Sequence, residues 1–308
     1  MDFLKLLERI RIPALNAAMS VLTYLGDEIF LMALALIMYW CVSKRRGCYI
    51  LVAGFFTTAA GQALKMIFRI PRPWVRDPDF TIVESAREGA GGYSFPSGHT
   101  QNITAILSAT AFTSKRRSVK ILAVIGICTV AFSRMYLGVH TPLDVCVGMV
   151  ISLAITLVLF PFFRDDETFR ARIPYVLIAA CLAGGSFIAF TSAFPFPADT
   201  DAEKISEALR NGCKLFGALI GFTVAYFIDA KYIRFETSAS PIAQVLKASL
   251  GFVAVVALKG LIKLLFVRVM GDLMFADALR YALVTLFAGA VWPLTFKYFA
   301  RIGNASDK

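Results

Sequence analysis

The sequence SRMYLGVHTPLD, residues 133–144, brings an arginine, a histidine and an aspartate together between two long apolar runs. Arg134 stands six positions before His140, and Asp144 stands four positions after it. His140 is one of two histidines in the 308 residues. Because ionisable groups at membrane depth are costly, their presence between apolar runs indicates a functional site.

Outside this segment, the composition predicts an integral membrane protein. Hydrophobic residues make up 58% of the chain, compared with roughly 45–50% in soluble domains. Several apolar runs reach the ~20 residues that cross a bilayer, which disfavours a soluble all-α protein. We therefore predict an all-α fold, a polytopic transmembrane helical bundle of about nine spans (range about eight to ten). An N-terminal interfacial helix should precede the spans.

The chain divides into three predicted parts. Residues 1–28 form an amphipathic N-terminal segment, in which apolar and charged side chains alternate until Pro13 interrupts the pattern. Residues 29–163 form a helical core that holds the polar clusters, and residues 164–308 form a C-terminal transmembrane extension.

The basic residues behind the net charge of +11 lie largely in short loops between the spans. This pattern is explained by membrane topology and by contact with anionic lipid headgroups, rather than by nucleic-acid binding. The basic loops are residues 43–46, 114–120, 164–172 and 231–234. The positive-inside rule places these loops in the cytoplasm. The opposite loops, which should face outward, are residues 69–98, 134–142, 193–211 and 268–277. We therefore predict a multi-pass protein of a bacterial cytoplasmic membrane, with membrane lipids as partners.

Two further polar clusters fall at the same predicted membrane level as residues 133–144. Lys65 and Arg72 lie at the outward end of the second span, and Ser97, Gly98 and His99 open the third. Three cations and two histidines in one place suit an anion with several oxygens, and phosphate is the natural candidate. Lysine and arginine can neutralise its charge, and arginine can bind two of its oxygens in bidentate fashion. A serine-glycine turn at a helix start adds backbone N–H donors.

The two histidines can divide the chemistry of phosphoryl transfer. One can attack phosphorus while the other protonates the leaving oxygen. Asp144 shares a helix face with His140 if the span begins near Pro142, and a carboxylate there would fix the imidazole tautomer. His99 has no such neighbour and suits the acid–base role. The chain shows no cluster of carboxylates, so we expect neither a divalent metal nor another cofactor.

The three motifs resemble the signature of the type 2 phosphatidic acid phosphatase superfamily. They are Lys65-x6-Arg72-Pro73, Pro96-Ser97-Gly98-His99 and Ser133-Arg134-x5-His140-x3-Asp144. The resemblance covers roughly residues 27–160 and leaves the C-terminal extension unexplained. It implies that residues 29–163 are a metal-independent phosphatase core, with His140 as the nucleophile that forms a phosphohistidine, Asp144 as its orienting group and His99 as the general acid. The implied phosphate ligands are Lys65, Arg72, Ser97, Gly98 and Arg134.

The expected activity is hydrolysis of a phosphomonoester or pyrophosphate of a lipid, on the outward side of the membrane. Undecaprenyl pyrophosphate, phosphatidylglycerol phosphate and phosphatidate all fit this expectation. Two alternatives stay open. One is a phosphotransferase that passes the phosphoryl group from His140 to a lipid or sugar acceptor, and the other is a non-catalytic phospholipid transporter or binding protein.

Three weaker candidates have two interpretations each. Tyr136, beside Arg134, could line the site or pack in the core. Lys259 and Lys263 share one face of a span. They could snorkel toward the headgroups, or form a cationic wall near the phosphate or head group of a lipid substrate.

Overall fold

A computed structural model describes residues 1–271 and 273–302, and every regular element in them is helical. The helices are α1 (Asp2–Arg9), α2 (Pro13–Thr23), α3 (Glu28–Ile37), α4 (Lys44–Phe68), α5 (Pro73–Arg76), α6 (Gly98–Phe112), α7 (Arg117–Tyr136), α8 (Pro142–Leu159), α9 (Asp166–Ala193), α10 (Ala202–Ile228), α11 (Pro241–Met270), α12 (Met274–Leu286) and α13 (Phe296–Phe299). Short 3-10 and π-helical turns extend several of them.

The predicted all-α, multi-span fold is confirmed. Within the described residues, 7 helical segments are long and apolar enough to cross a membrane. The count rises to 8, inside the predicted range, when the segments Pro13–Gly26 and Glu28–Val42, bent by 51°, are taken as one span. The remaining difference from nine comes from α6, whose 15 residues are shorter than the ~20 that cross a bilayer.

The chain folds as two compact units. Unit 1 contains Met1–Met32, Tyr49–Arg164 and Phe196–Ala208, and therefore all three motifs. Unit 2 contains Ala33–Cys48, Asp165–Pro195 and the described residues after Ala208.

In unit 1, α6 is the central helix and packs against α7 and α8. Its side chains are buried on several faces, among them Thr100, Ile103 and Ile106. Gly148 of α8 allows the close approach, because a Cβ there would lie 3.1 Å from the carbonyl oxygen of Ser97. The polar turn that starts α6 is thus held against α8.

The N-terminal segment is hydrogen-bonded to the end of α7. Leu4 and Leu7 of α1 are buried, so only part of this amphipathic helix faces outward. Arg11 Nε donates to the carbonyl oxygen of Tyr136 at 3.0 Å, and the Tyr136 hydroxyl donates to Asn16 Oδ1 at 3.0 Å. These bonds fix the backbone where α7 ends and the connection to α8 begins.

In unit 2, two glycines bring α10 and α12 into close contact. A Cβ on Gly217 or Gly221 would overlap the carbonyl oxygens of Ala278 and Ala282, respectively. The four-residue spacing is the small-residue pattern that lets membrane helices pack backbone against backbone. The approach is tight enough for Thr285 Oγ1 to donate to the carbonyl oxygen of Ala218 at 3.0 Å.

Candidate active site

Tertiary structure brings the three motifs together in unit 1. Arg72 Nη1 lies 2.9 Å from His140 Nε2, and the backbone N–H of Ser97 donates to the carbonyl oxygen of Asp144 at 3.0 Å. The first contact joins the first motif to the third, and the second contact joins the second motif to the third. Arg72, Ser97, His140 and Asp144 are buried, as is Arg134.

The Arg72 guanidinium is held by backbone carbonyls from two segments. Nη2 donates to the oxygen of Gly91 at 2.6 Å, Nε to that of Gly92 at 3.3 Å, and Nη1 to that of Val139 at 3.1 Å. Gly92 has φ of +61°, a conformation that L side chains rarely adopt. The glycine-rich loop is therefore shaped to hold Arg72 next to His140.

Asp144 is locked at the start of α8, which begins at Pro142. His140 lies in the connection before the helix, so it is close to Asp144 but does not share with it the helix face that the sequence had predicted. Its Oδ2 accepts hydrogen bonds from the backbone N–H of Thr141 and from Ser94 Oγ, both at 2.7 Å. The Thr141 hydroxyl accepts from the Asp144 N–H, which completes a capping box. Both the position and the orientation of the carboxylate are thus fixed before any ligand binds.

Ser94 stands between Asp144 and His140. Asp144 Oδ2 lies 3.6 Å from His140 Nδ1, beyond a normal hydrogen bond. Ser94 Oγ lies 3.4 Å from the same nitrogen while it donates to the carboxylate. The carboxylate, hydroxyl and imidazole form one polar group on the Nδ1 side of the ring.

The contacts determine which nitrogen of His140 carries the proton. A guanidinium has donors and no acceptor, so Nε2 must accept from Arg72 and Nδ1 must carry the hydrogen. Burial lowers the pKa of His140 well below its usual value, and the charge of Arg72 lowers it further. His140 is therefore a neutral imidazole with a lone pair on Nε2, the form that can attack phosphorus.

Arg134 presents donors that the protein does not use. Its Nη1 donates to Thr23 Oγ1 at 2.9 Å. Nε and Nη2 are buried and have no hydrogen-bond partner among the described residues. Unsatisfied buried donors are costly, and an anion with several oxygens would satisfy both.

The other predicted ligands lie in the same unit. Lys65 Nζ donates to the carbonyl oxygen of Tyr93 at 2.5 Å, and the Thr100 hydroxyl donates to Ser97 Oγ at 2.9 Å. No atom lies within 4 Å of a Cβ built on Gly98, so space is open at the start of α6. His99 lies in the first turn of α6 and is partly exposed.

The weaker candidates make contacts of other kinds. Tyr136 is buried in an apolar cluster with Leu137 and Val139, which gives it a packing role. Lys259 and Lys263 belong to unit 2. Lys259 Nζ lies 5.2 Å above the ring of Tyr281, and Lys263 lines a cavity described below.

Sequence reasoning missed three polar partners of the site. Ser94 binds Asp144, Thr23 binds Arg134, and Thr141 caps α8. Only Thr141 carries a local signal, because the spacing Thr141-x-x-Asp144 is that of a capping box. In the described residues, no group of three or more His, Cys, Asp or Glu side chains could hold a metal ion.

Two family models match the chain. The model described as PAP2 superfamily matches residues 46–167, which include the three motifs. The model described as PAP2 superfamily phosphatase, transmembrane extension, matches residues 213–304. The second match covers much of the region that the motifs leave unexplained.

Curated relatives are similar over part of the chain. A probable sphingosine-1-phosphate phosphatase of Dictyostelium discoideum is 30% identical over 42% of this chain and 34% of its own length. The undecaprenyl-diphosphatase BcrC of Bacillus subtilis is 27% identical over 51% of this chain and 80% of its own. Phosphatidylglycerophosphatase B of Bacillus subtilis is 29% identical over 53% and 82%, respectively. No solved structure matches the chain.

Proposed function

Because the chain belongs to the PAP2 superfamily, we propose that it is an integral membrane phosphatase that hydrolyses a phosphomonoester or pyrophosphate of a lipid. One arrangement of side chains carries the proposal. The lone pair of His140 Nε2 faces Arg72, and the buried Arg134 has two N–H donors without hydrogen-bond partners among the described residues. A phosphate group needs this combination of a nucleophile and fixed cations.

In the proposed reaction, His140 Nε2 attacks phosphorus as the bond to the leaving oxygen breaks. His99 gives a proton to that oxygen, so the product leaves as an alcohol or a phosphate. The positive charge that develops on His140 is stabilised through Nδ1–H by Ser94 and Asp144. Water, deprotonated by His99, then attacks the phosphohistidine and releases phosphate.

The cations would hold the phosphoryl oxygens during both steps. Arg134 Nε and Nη2 supply two donors, and Lys65 and the start of α6 supply more. Arg72 Nη1 would leave His140 Nε2 for a phosphoryl oxygen, which frees the attacking lone pair. The mechanism thus uses Arg72 twice, to keep His140 neutral and then to bind the substrate.

A lipid substrate agrees with the names of the relatives. They are an undecaprenyl-diphosphatase, a phosphatidylglycerophosphatase and a probable sphingosine-1-phosphate phosphatase, and each name denotes a phosphate on a lipid. Undecaprenyl pyrophosphate, phosphatidylglycerol phosphate and phosphatidate are therefore the first candidates. The distribution of basic loops supports a site that faces the extracytoplasmic side.

Phosphate release by the purified chain in non-ionic detergent tests the proposal. The panel contains the three candidate lipids, sphingosine 1-phosphate and the water-soluble glucose 6-phosphate. We expect release from at least one lipid and none from the His140→Ala variant. Release from no lipid would refute hydrolysis, and release that depends on an added alcohol acceptor would instead indicate a phosphotransferase.

A further inference from the structure

Unit 2 contains a cavity of about 210 Å³ where α10, the end of α11 and the start of α12 meet. Its charged lining residues are Arg210, Lys214, Lys263, Asp277 and Arg280. None of them belongs to the three motifs. The sequence-based topology places the loops at this end, residues 193–211 and 268–277, on the extracytoplasmic side.

Positive charge is in excess among the described residues that line this cavity. Four are cations and one, Asp277, is a carboxylate. Asp277 accepts from two arginines, from Arg210 Nη1 at 3.0 Å and from Arg280 Nη2 at 2.6 Å. Asp277 is thus shared by two arginines, and Lys263 adds a further cation to the lining, a charge distribution that favours an anion.

Arg280 shows where an anion would bind. The residue is only 9% exposed, and its Nε has no hydrogen-bond partner among the described residues. A buried guanidinium donor left without an acceptor is costly. A guanidinium is planar and forks its donors in a geometry that matches the oxygens of a phosphate or a carboxylate.

Helix packing, rather than a loop, holds this arrangement. The contact of Gly217 with the carbonyl oxygen of Ala278 brings α10 against the first turns of α12. Arg210 on α10 and Arg280 on α12 consequently share Asp277. The cations are therefore held in place before a ligand arrives, which reduces the entropy lost on binding.

The remaining walls suit an amphiphilic ligand. Phe266, Val267 and Leu273 line the same cavity. Leu264 and Leu265, next to Lys263 on α11, are exposed as lipid-facing residues of a span would be. The cavity is smaller than the roughly 300–1,000 Å³ of a site for a drug-sized molecule, so it would hold a head-group phosphate while the acyl chains stay outside.

We propose that this cavity binds the phosphate group of an anionic membrane lipid, at a site distinct in its residues from the catalytic motifs. Lys263 and Arg280 contact the phosphate, and Arg210 and Asp277 hold Arg280 in position. The same chemistry would also accept free phosphate, so the test must distinguish the two sources.

Lipid binding to the full-length protein tests this site. The protein carries His140→Ala to prevent turnover, and native mass spectrometry from neutral detergent follows titration with short-chain phosphatidylglycerol or with inorganic phosphate. The variants are Arg280→Gln and Lys263→Gln. Lys263 is exposed, so its replacement should leave the fold intact. Arg268→Gln is the matched control, since Arg268 lies in the last turn of α11 but does not line the cavity.

We expect each variant to weaken phosphatidylglycerol binding by about 10- to 100-fold, the range for a lost hydrogen bond to a charged group. Arg268→Gln should leave this binding unchanged. The same losses for inorganic phosphate alone would support the site and identify the free anion as its ligand. Unchanged binding in both Lys263→Gln and Arg280→Gln, or equal weakening by Arg268→Gln, would overturn the proposal.

Discussion

The Arg72 guanidinium covers the nitrogen of His140 that faces away from Asp144, with Arg72 Nη1 2.9 Å from His140 Nε2. This contact makes Nε2 the acceptor and leaves the hydrogen on Nδ1, which faces Ser94 and Asp144. The proposed nucleophile is thus in the correct tautomer without substrate. The same contact also protects it until a phosphate group draws Arg72 away.

Removing the imidazole of His140 should abolish turnover. We expect His140→Ala to lower kcat by about 10⁴-fold or more, as for other covalent nucleophiles. With a pyrophosphate substrate, whose leaving phosphate needs no proton, His99→Ala should instead accumulate a phosphoenzyme, because water is no longer activated for the second step. Acid-labile ³²P on the protein measures this intermediate. If His140→Ala keeps wild-type turnover, the assignment of the nucleophile is wrong.

Ser94 should matter for turnover more than for fold. Ser94→Ala removes the hydroxyl between Asp144 and His140 Nδ1. Since a hydrogen bond to a charged group contributes about 1.5–3 kcal/mol, kcat should fall about 10- to 100-fold with little change in KM. The control is Ser85→Ala, because Ser85 lies in the same loop and binds only the exposed Ser20 hydroxyl in the described contacts. Equal effects of both variants on kcat would argue against a role for Ser94.

Arg134→Gln should lower the catalytic activity without lowering the stability of the protein. The guanidinium holds two buried donors without partners, so its removal relieves a cost in the ligand-free protein. We expect kcat/KM to fall by about 10²- to 10³-fold, the effect of losing one preorganised donor to the transition state. The Tm in detergent should not decrease. Arg117→Gln, at the exposed start of the same helix, should change neither quantity.

The lowered pKa of His140 predicts a pH dependence. Only the neutral imidazole can attack, so the acid limb of kcat/KM should lie below the usual histidine pKa of 6.5. Arg72→Gln removes a charge that lowers this pKa, so the limb of the residual activity should move to higher pH. A limb that stays at the same pH in Arg72→Gln would show that another group controls it.

The same shift predicts a loss of stability in acid. Below pH 6.5 the unfolded chain gains a proton that folded His140 does not take up. The free energy of unfolding should therefore decrease as pH falls from 6.5, by up to about 1.4 kcal/mol per pH unit for this one group. Chemical unfolding at several pH values measures the slope, which should be smaller in His140→Ala.

Glycine at position 217 should be essential for unit 2. Gly217→Ala places a methyl group onto the carbonyl oxygen of Ala278, so α10 and α12 must separate. Such overpacking costs about 1–3 kcal/mol, and the Tm should fall. Gly260→Ala is the control, since no atom lies within 4 Å of its Cβ and alanine favours helix by about 1 kcal/mol. A similar decrease in both variants would show that the α10–α12 contact is not the cause.

Local sequence determined the class of fold and the residues of the candidate site. Hydropathy is a sum over consecutive residues and depends on no tertiary contact, so a multi-span protein could be predicted from the apolar runs alone. The spacing of four positions predicted that His140 and Asp144 lie close together, and they do. The predicted shared helix face was wrong, because α8 starts at Pro142 and His140 precedes it. Hydropathy does not show that α6 is buried in protein on several faces, and only the structure shows this.

Tertiary structure alone decided how these residues are held. Ser94 reaches Asp144 across 50 positions, Thr23 reaches Arg134 across 111, and Arg72 reaches His140 across 68. No local pattern encodes such contacts, because they depend on how helices cross and on where glycines allow a close approach. The cavity in unit 2 likewise depends on tertiary structure. Lys263 could be noticed in the sequence, but only the packing of α10 against α12 places Arg210, Asp277 and Arg280 beside it.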